Sequence, residues 1–230
     1  MIRPLLVLRP EPGNSSTVAR ATAFELDARA VPLFEIRAVE WEAPDPQPYV
    51  GILLTSANAL RLAGPQLARY THLPAFAVGA VTAQLARDAG FVSVVEGDRD
   101  VTRLVGRIAT LGLHRLLQIS GADVRPFEPY GVVVDRCVVY SADPVEPPAA
   151  LAPIIAEGPV TLIHSPRAGA RFAELVDPAA RARIALVAIS ANAAEAAGTG
   201  WEEVAIATEP RDEALLKEAA RLCRQDKRDH

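Results

Sequence analysis

At 230 residues, half of them hydrophobic and 23% charged, the chain is long enough to bury one large core or two smaller ones. Its net charge of −4 argues against a nucleic-acid partner, and its cations, nearly all Arg, suit carboxylate or phosphate contacts. Cys137 and Cys223 give no metal spacing and no disulfide framework, and no run approaches the ~18 apolar residues of a membrane span, so a cytoplasmic protein is expected.

The first strand is expected over 5–8, too short an apolar run before Arg9 to be a signal-peptide core. A helix follows from the Asn14-Ser15-Ser16-Thr17 caps to about 29, then a strand over 31–36. Residues 37–48 alternate Pro44, Pro46 and Pro48 with polar residues and read as a connector. The run 51–54 is a buried strand that enters the polar turn Thr55-Ser56, where hydroxyls can cap a helix N-terminus or hold an anion. A break falls at Gly64-Pro65. Strands at 75–78 and 92–95 alternate with helices at 83–89 and 101–111, a pattern of βαβ units on a parallel sheet.

A further strand is expected over 114–119, ending in Ser120-Gly121-Ala122-Asp123-Val124-Arg125, then a β-branched run over 132–140 and a second proline-rich connector over 143–148. Helix and strand then alternate again: helix 149–156, strand 160–163, helix 168–176, strand 185–189, helix 191–197, strand 203–207 and helix 213–223. The charged tail 224–230 reads as frayed.

The second half repeats the first. Ser56 corresponds to Ser165, Gly79 to Ser190, Phe91 to Trp201 and Leu5-Leu6-Val7-Leu8 to Leu116-Leu117-Gln118-Ile119, all at a spacing of about 110 residues. The expected fold is therefore α/β: two similar parallel-sheet domains, one of them discontinuous, joined by a two-stranded linker. The connectors put the boundaries at 1–35 plus 145–230 for the discontinuous domain and 40–138 for the inserted one, with linkers at about 36–40 and 138–144. Ligand is expected in a cleft between the domains, outside the strand C-termini.

Dinucleotide, P-loop, zinc-protease and α/β-hydrolase signatures are all absent. His164, next to Ser165, reads as a structural histidine, since neighbours at a strand end point apart. What remains is a set of hydroxyls, amides and glycines at strand tips: Thr55, Ser56, Asn58, Gly79, Thr82, Ser120, Gly121, Ser165, Ser190 and Asn192. Arg9, Arg125 and Arg167 lie in the same turns. Singly, each is equally a helix cap; together they can hold several carboxylates or phosphates. No metal site and no acid–base pair stands out, so any chemistry should rest on positioning and electrostatics.

These motifs resemble one family in chain order. Leu8-Arg9-Pro10, Leu54-Thr55-Ser56-Ala57-Asn58-Ala59-Leu60, Ala77-Val78-Gly79-Ala80-Val81-Thr82-Ala83, Val139-Tyr140-Ser141 and Ser165-Pro166 are similar to the successive motifs of uroporphyrinogen-III synthases. The resemblance implies a two-domain monomer that needs no cofactor and cyclises the linear tetrapyrrole hydroxymethylbilane to uroporphyrinogen III, inverting ring D. That small-molecule substrate is a polycarboxylate, which would give the amides and arginines a purpose. By motif, Tyr140 becomes the candidate proton donor to the leaving hydroxyl. Two departures stand out: Ala188-Ile189-Ser190-Ala191-Asn192-Ala193 lacks the glycine and threonine of its first-half counterpart, and Ser120 stands where an arginine is common in the family. A two-lobed anion-binding protein without activity is the rival reading, and an inactive relative of the synthases another.

Overall fold

The computed structural model describes residues 3–98, 100–124 and 126–224. In chain order these form β1 (Leu5–Val7), α1 (Gly13–Thr22), β2 (Ala28–Ala30), β3 (Phe34–Ala38), β4 (Ile52–Leu54) and α2 (Ala57–Leu62). A 3-10 helix (Gly64–Tyr70), β5 (Ala75–Ala77), α3 (Ala80–Asp88), β6 (Val94–Glu96), α4 (Val101–Thr110), β7 (Arg115–Gly121) and β8 (Val133–Pro144) follow. The chain ends with α5 (Leu151–Ala156), β9 (Val160–Ile163), α6 (Pro166–Leu175), α7 (Pro178–Arg181), β10 (Ala185–Ala188), α8 (Ala191–Ala196), β11 (Glu203–Ile206) and α9 (Asp212–Arg224).

Two sheets organise these elements, in strand orders β2-β1-β9-β10-β11 and β3-β8-β7-β4-β5-β6. Leaving β3 aside, the two orders superimpose strand for strand: β1 answers β7, β9 answers β4 and β10 answers β5. This is the repeat seen in the sequence, now visible as topology. Pairing is parallel from β2 to β11 and from β8 to β6. The central strands are buried along their whole length, because helices cover both faces of each sheet. Side chains alternate across the sheet, so Ile52 and Leu54 pack with Ala59, Ala83 and Leu117 while Leu53 packs with Leu104, Val105 and Ile108 on the other face. In the first sheet, Leu5, Val7, Leu162 and Val187 pack with Leu215, Leu216 and Ala219 of α9.

The chain divides into two compact units, one comprising residues up to Glu35 and from Asp143 on, the other Ile36–Ala142. Both crossings fall inside strands, β3 and β8, which are neighbours in one sheet. Val145 N–H donates to Leu33 O at 3.1 Å and Val39 N–H to Val139 O at 2.9 Å. One index rises as the other falls, so these two strands run antiparallel.

Several elements differ from their sequence expectation. The helix expected to about 29 stops at Thr22, and the chain turns through Glu25 at φ 55° into β2, a strand the sequence did not announce. Strand β8 runs into the start of the second proline-rich connector and ends at Pro144; a proline closes a strand without breaking it when its missing N–H falls at the end. Gly64-Pro65 opens a 3-10 helix, with Gly64 at φ 67°. The tail residues 225–230 lie outside the described residues, and no described helix is long and apolar enough to cross a membrane.

Candidate active site

Strand β4 ends at Leu54, and Thr55 and Ser56 carry the chain into α2. Ser56 is extended (φ −146°, ψ 137°), and its Oγ accepts from the Asn58 backbone N–H at 3.2 Å, capping that helix. The same Oγ accepts the phenolic hydrogen of Tyr140 at 3.0 Å. Tyr140 reaches it from β8 because the β7–β8 ladder slips by one residue: Ser120 faces Val138, but Gly121 faces Tyr140. Such a bulge re-aims a side chain. Val139 beside it is fully buried. Ala122 N–H donates to Tyr140 O at 2.8 Å, fixing the backbone beyond the bulge.

These residues wall a cavity of about 310 Å³ in the unit Ile36–Ala142, lined by Thr55, Ser56, Gln118, Gly121 and Tyr140 together with the apolar Val78, Val101, Val124 and Phe127. Gln118 is a polar side chain flanked by Leu116, Leu117 and Ile119, 3% exposed, and its Nε2 reaches Thr55 Oγ1 only at 3.4 Å. Asp123 is the one charged group among the described lining residues. Phenol, hydroxyls and carboxamide share the lining with apolar side chains, an arrangement fitted to orient a ligand and move a proton.

The other predicted residues take different places. Ser120 is fully buried, and its Oγ accepts from Arg136 Nε at 3.0 Å. Gly79 caps α3 at φ 94°, a conformation glycine adopts freely, and Thr82 is buried one turn into that helix. Asn58 turns its Oδ1 to Arg61 at 3.0 Å. Arg125 lies outside the described residues. Arg9, Ser165, Arg167, Ser190 and Asn192 belong to the other unit. There Ser165 and Ser190 cap α6 and α8, Arg167 stacks 4.9 Å from the Phe34 ring centroid, and Asn192 is exposed.

Arg9 belongs to a polar cluster with His164 and Thr17, and its centre, Asp212, is a residue the sequence did not single out. Asp212, the first residue of α9, accepts from His164 Nε2 at 2.8 Å, Thr17 Oγ1 at 2.8 Å, Arg20 at 2.6 Å and Arg9 at 3.3 Å. Burial opposes its charge, but the hydrogen bonds from His164 and Thr17 and the charge of Arg9 outweigh burial and hold the carboxyl below the usual range. For His164 burial wins over the Asp212 hydrogen bond, and the imidazole is held below its ordinary 6.5. Since a carboxylate only accepts, the neutral ring carries its hydrogen on Nε2; Nδ1 is buried without a partner among the described residues. The expectation of a structural histidine is thus extended to a histidine that anchors α9 to the tip of β9. The two thiols are chemically quiet: burial raises Cys137 and pushes Cys223 up to about 11.

A family model described as uroporphyrinogen-III synthase HemD matches residues 15–217. No curated protein matches the chain. Among solved structures, uroporphyrinogen-III synthetase from Helicobacter pylori 26695 is similar at 17% identity and a TM-score of 0.66, covering 96% of this chain and 99% of that one. Wild-type uroporphyrinogen III synthase from Thermus thermophilus aligns at 17% identity and a TM-score of 0.41, over 95% of this chain and 97% of that one. The Helicobacter likeness is one of fold, and it spans both units.

Proposed function

Because the chain belongs to the uroporphyrinogen-III synthase family, we propose that it cyclises hydroxymethylbilane to uroporphyrinogen III, inverting ring D and releasing water, as a cytoplasmic monomer without a cofactor. The observation that carries this reading to particular atoms is the convergence of Thr55 and Ser56 from one motif and Tyr140 from another on one cavity. The terminal hydroxyl of the substrate leaves as water once it receives a proton, generating an azafulvene. The ring-D pyrrole attacks this electrophile to give a spiro intermediate, which reopens and closes in the inverted sense.

Tyr140 is the proton donor in this reading. A phenol is a weak acid, so its contribution depends on where its hydrogen points. Ser56 Oγ, now its acceptor, is a hydroxyl with a hydrogen of its own. When the leaving hydroxyl takes the Tyr140 proton, Ser56 can rotate to donate to the phenolate oxygen, and the proton lost by the cyclised product restores the phenol. Thr55 and Gln118 orient the reacting end. Arg9, Asn58, Gly79, Thr82, Arg125, Ser165, Arg167, Ser190 and Asn192 form the pool from which substrate-carboxylate contacts come.

The test is a coupled assay that supplies hydroxymethylbilane and separates product isomers. Isomer III is expected to dominate. Isomer I alone, at the spontaneous rate, would leave the rival reading of a binding protein without activity.

A further inference from the structure

The bulge that aims Tyr140 also interrupts the β7–β8 ladder where the ring has to be held. Arg136, on β8, spans this gap. Its Nε donates to Ser120 Oγ at 3.0 Å, and its Nη2 donates to the carbonyls of Gly121 and Ala122. All three acceptors are neutral, and among the described residues Arg136 has no carboxylate partner, unlike Arg115 on the adjacent strand, which pairs with Asp135 at 2.8 Å. The two residues whose carbonyls it grips are the two that hold Tyr140: Gly121 lies beneath the ring, and Ala122 N–H binds the Tyr140 carbonyl.

We propose that Arg136 and Ser120 are positioning residues for Tyr140, cross-bracing the strand tips so that the phenol stays on Ser56. A planar guanidinium spreads its donors over a rigid fork and so fixes acceptors on three successive residues in one geometry, whereas an ammonium offers its three from a single freely rotating nitrogen. Ser120, where the family often carries arginine, is then the seat of an arginine delivered from the neighbouring strand and not a substrate contact. This rests on Tyr140 being the proton donor.

Arg136→Gln is expected to lower kcat by about tenfold or more with KM within about twofold, Ser120→Ala to act in the same sense more weakly, and Arg136→Lys to recover only part of the loss. In a Tyr140→Phe background, Arg136→Gln should add less than about twofold. A raised KM with intact kcat would make Arg136 a substrate contact instead, and an undiminished loss in that background would make it merely structural; either overturns the proposal. Fluorotyrosine labelling gives a readout independent of turnover, the Tyr140 fluorine resonance being the one absent from Tyr140→Phe. That signal should move in Arg136→Gln and Ser120→Ala while the other tyrosines stay put; an unmoved signal also overturns the proposal. If Tyr140→Phe turns over normally, the proton-donor reading falls, and the resonance still decides whether Arg136 holds the ring.

Discussion

The ring of Tyr140 occupies the space that a side chain at Gly121 would need: a Cβ placed there stands 2.5 Å from Tyr140 Cζ, 2.6 Å from Cε2 and 2.9 Å from the phenolic oxygen. The backbone at 121 is not in the left-handed region, so alanine is excluded by the ring alone. Gly121→Ala is expected to destabilise by about 1–3 kcal/mol and to lower kcat by about tenfold, because the phenol must leave Ser56. Adding Tyr140→Ala should return much of the stability and none of the turnover. Unfolding curves and isomer assays of the single and double variants check this, and full activity in Gly121→Ala would remove the packing constraint from the mechanism.

Tyr140→Phe keeps the ring and removes the hydrogen bond to Ser56 Oγ. One partly buried neutral hydrogen bond is worth about 1 kcal/mol or less, whereas a positioned proton donor contributes about a hundredfold to turnover. A large loss in kcat with a small loss in stability is therefore expected. Ser56→Ala should divide its cost differently: about 1 kcal/mol from the lost cap of α2, and a smaller fall in kcat because the phenol keeps its proton. Equal kcat in Tyr140→Phe and the parent would withdraw the tyrosine from catalysis.

The fold was legible in the sequence wherever a short apolar run met a polar turn. Ile52-Leu53-Leu54 and Val160-Thr161-Leu162-Ile163 can be little but buried parallel strands, and their like succession exposed the repeat. Strand β2 escaped because no glycine or proline marks the end of α1; the turn uses Glu25 in a conformation that sequence does not announce. At the site, Thr55 and Ser56 were legible as strand-tip hydroxyls and Tyr140 only through a motif. The bulge that aims Tyr140 was not, since it depends on the register between two strands. Gln118 carries a signal in the sequence, a carboxamide between Leu117 and Ile119. Asp212 left none: its partner Arg9 is 203 residues away, and only the return of α9 to the tips of β1 and β9 makes a first-turn aspartate the centre of a cluster.

Gly169 tests a different constraint. Glycine inside a helix ordinarily costs stability relative to alanine, so Gly169→Ala in α6 would normally stabilise. Here a Cβ would stand 2.8 Å from Ala193 O and 3.1 Å from Ala197 N, backbone atoms in and just after α8 that cannot rotate aside. The sign reverses: a loss of about 1–3 kcal/mol is expected, with kcat at permissive temperature within about twofold of the parent. Denaturant titration decides it, and a variant as stable as the parent would show that the two helices separate more easily than their packing implies.

The His164–Asp212 pair makes stability depend on pH in a definite direction. Above the ordinary imidazole value of 6.5 the ring is neutral folded and unfolded, and contributes no pH dependence. Below it the unfolded chain takes up a proton that burial denies to the folded chain, so the unfolding free energy falls with acidification until the folded ring titrates in turn. Asp212 acts in the same sense lower down: its stabilisation is complete above 3.8 and is lost as pH falls below that. Between about pH 7.5 and 5.5 only the histidine contributes, and the parent should lose about 1 kcal/mol more than His164→Gln over that interval. Asp212→Asn should be less stable than the parent already at pH 7.5, because Arg9, Arg20 and Thr17 lose their shared acceptor charge, whereas His164→Gln keeps a donor for Asp212. Denaturant unfolding of the three proteins at the two pH values checks both points; parallel losses in the parent and His164→Gln would mean that the imidazole is protonated as readily in the fold as outside it.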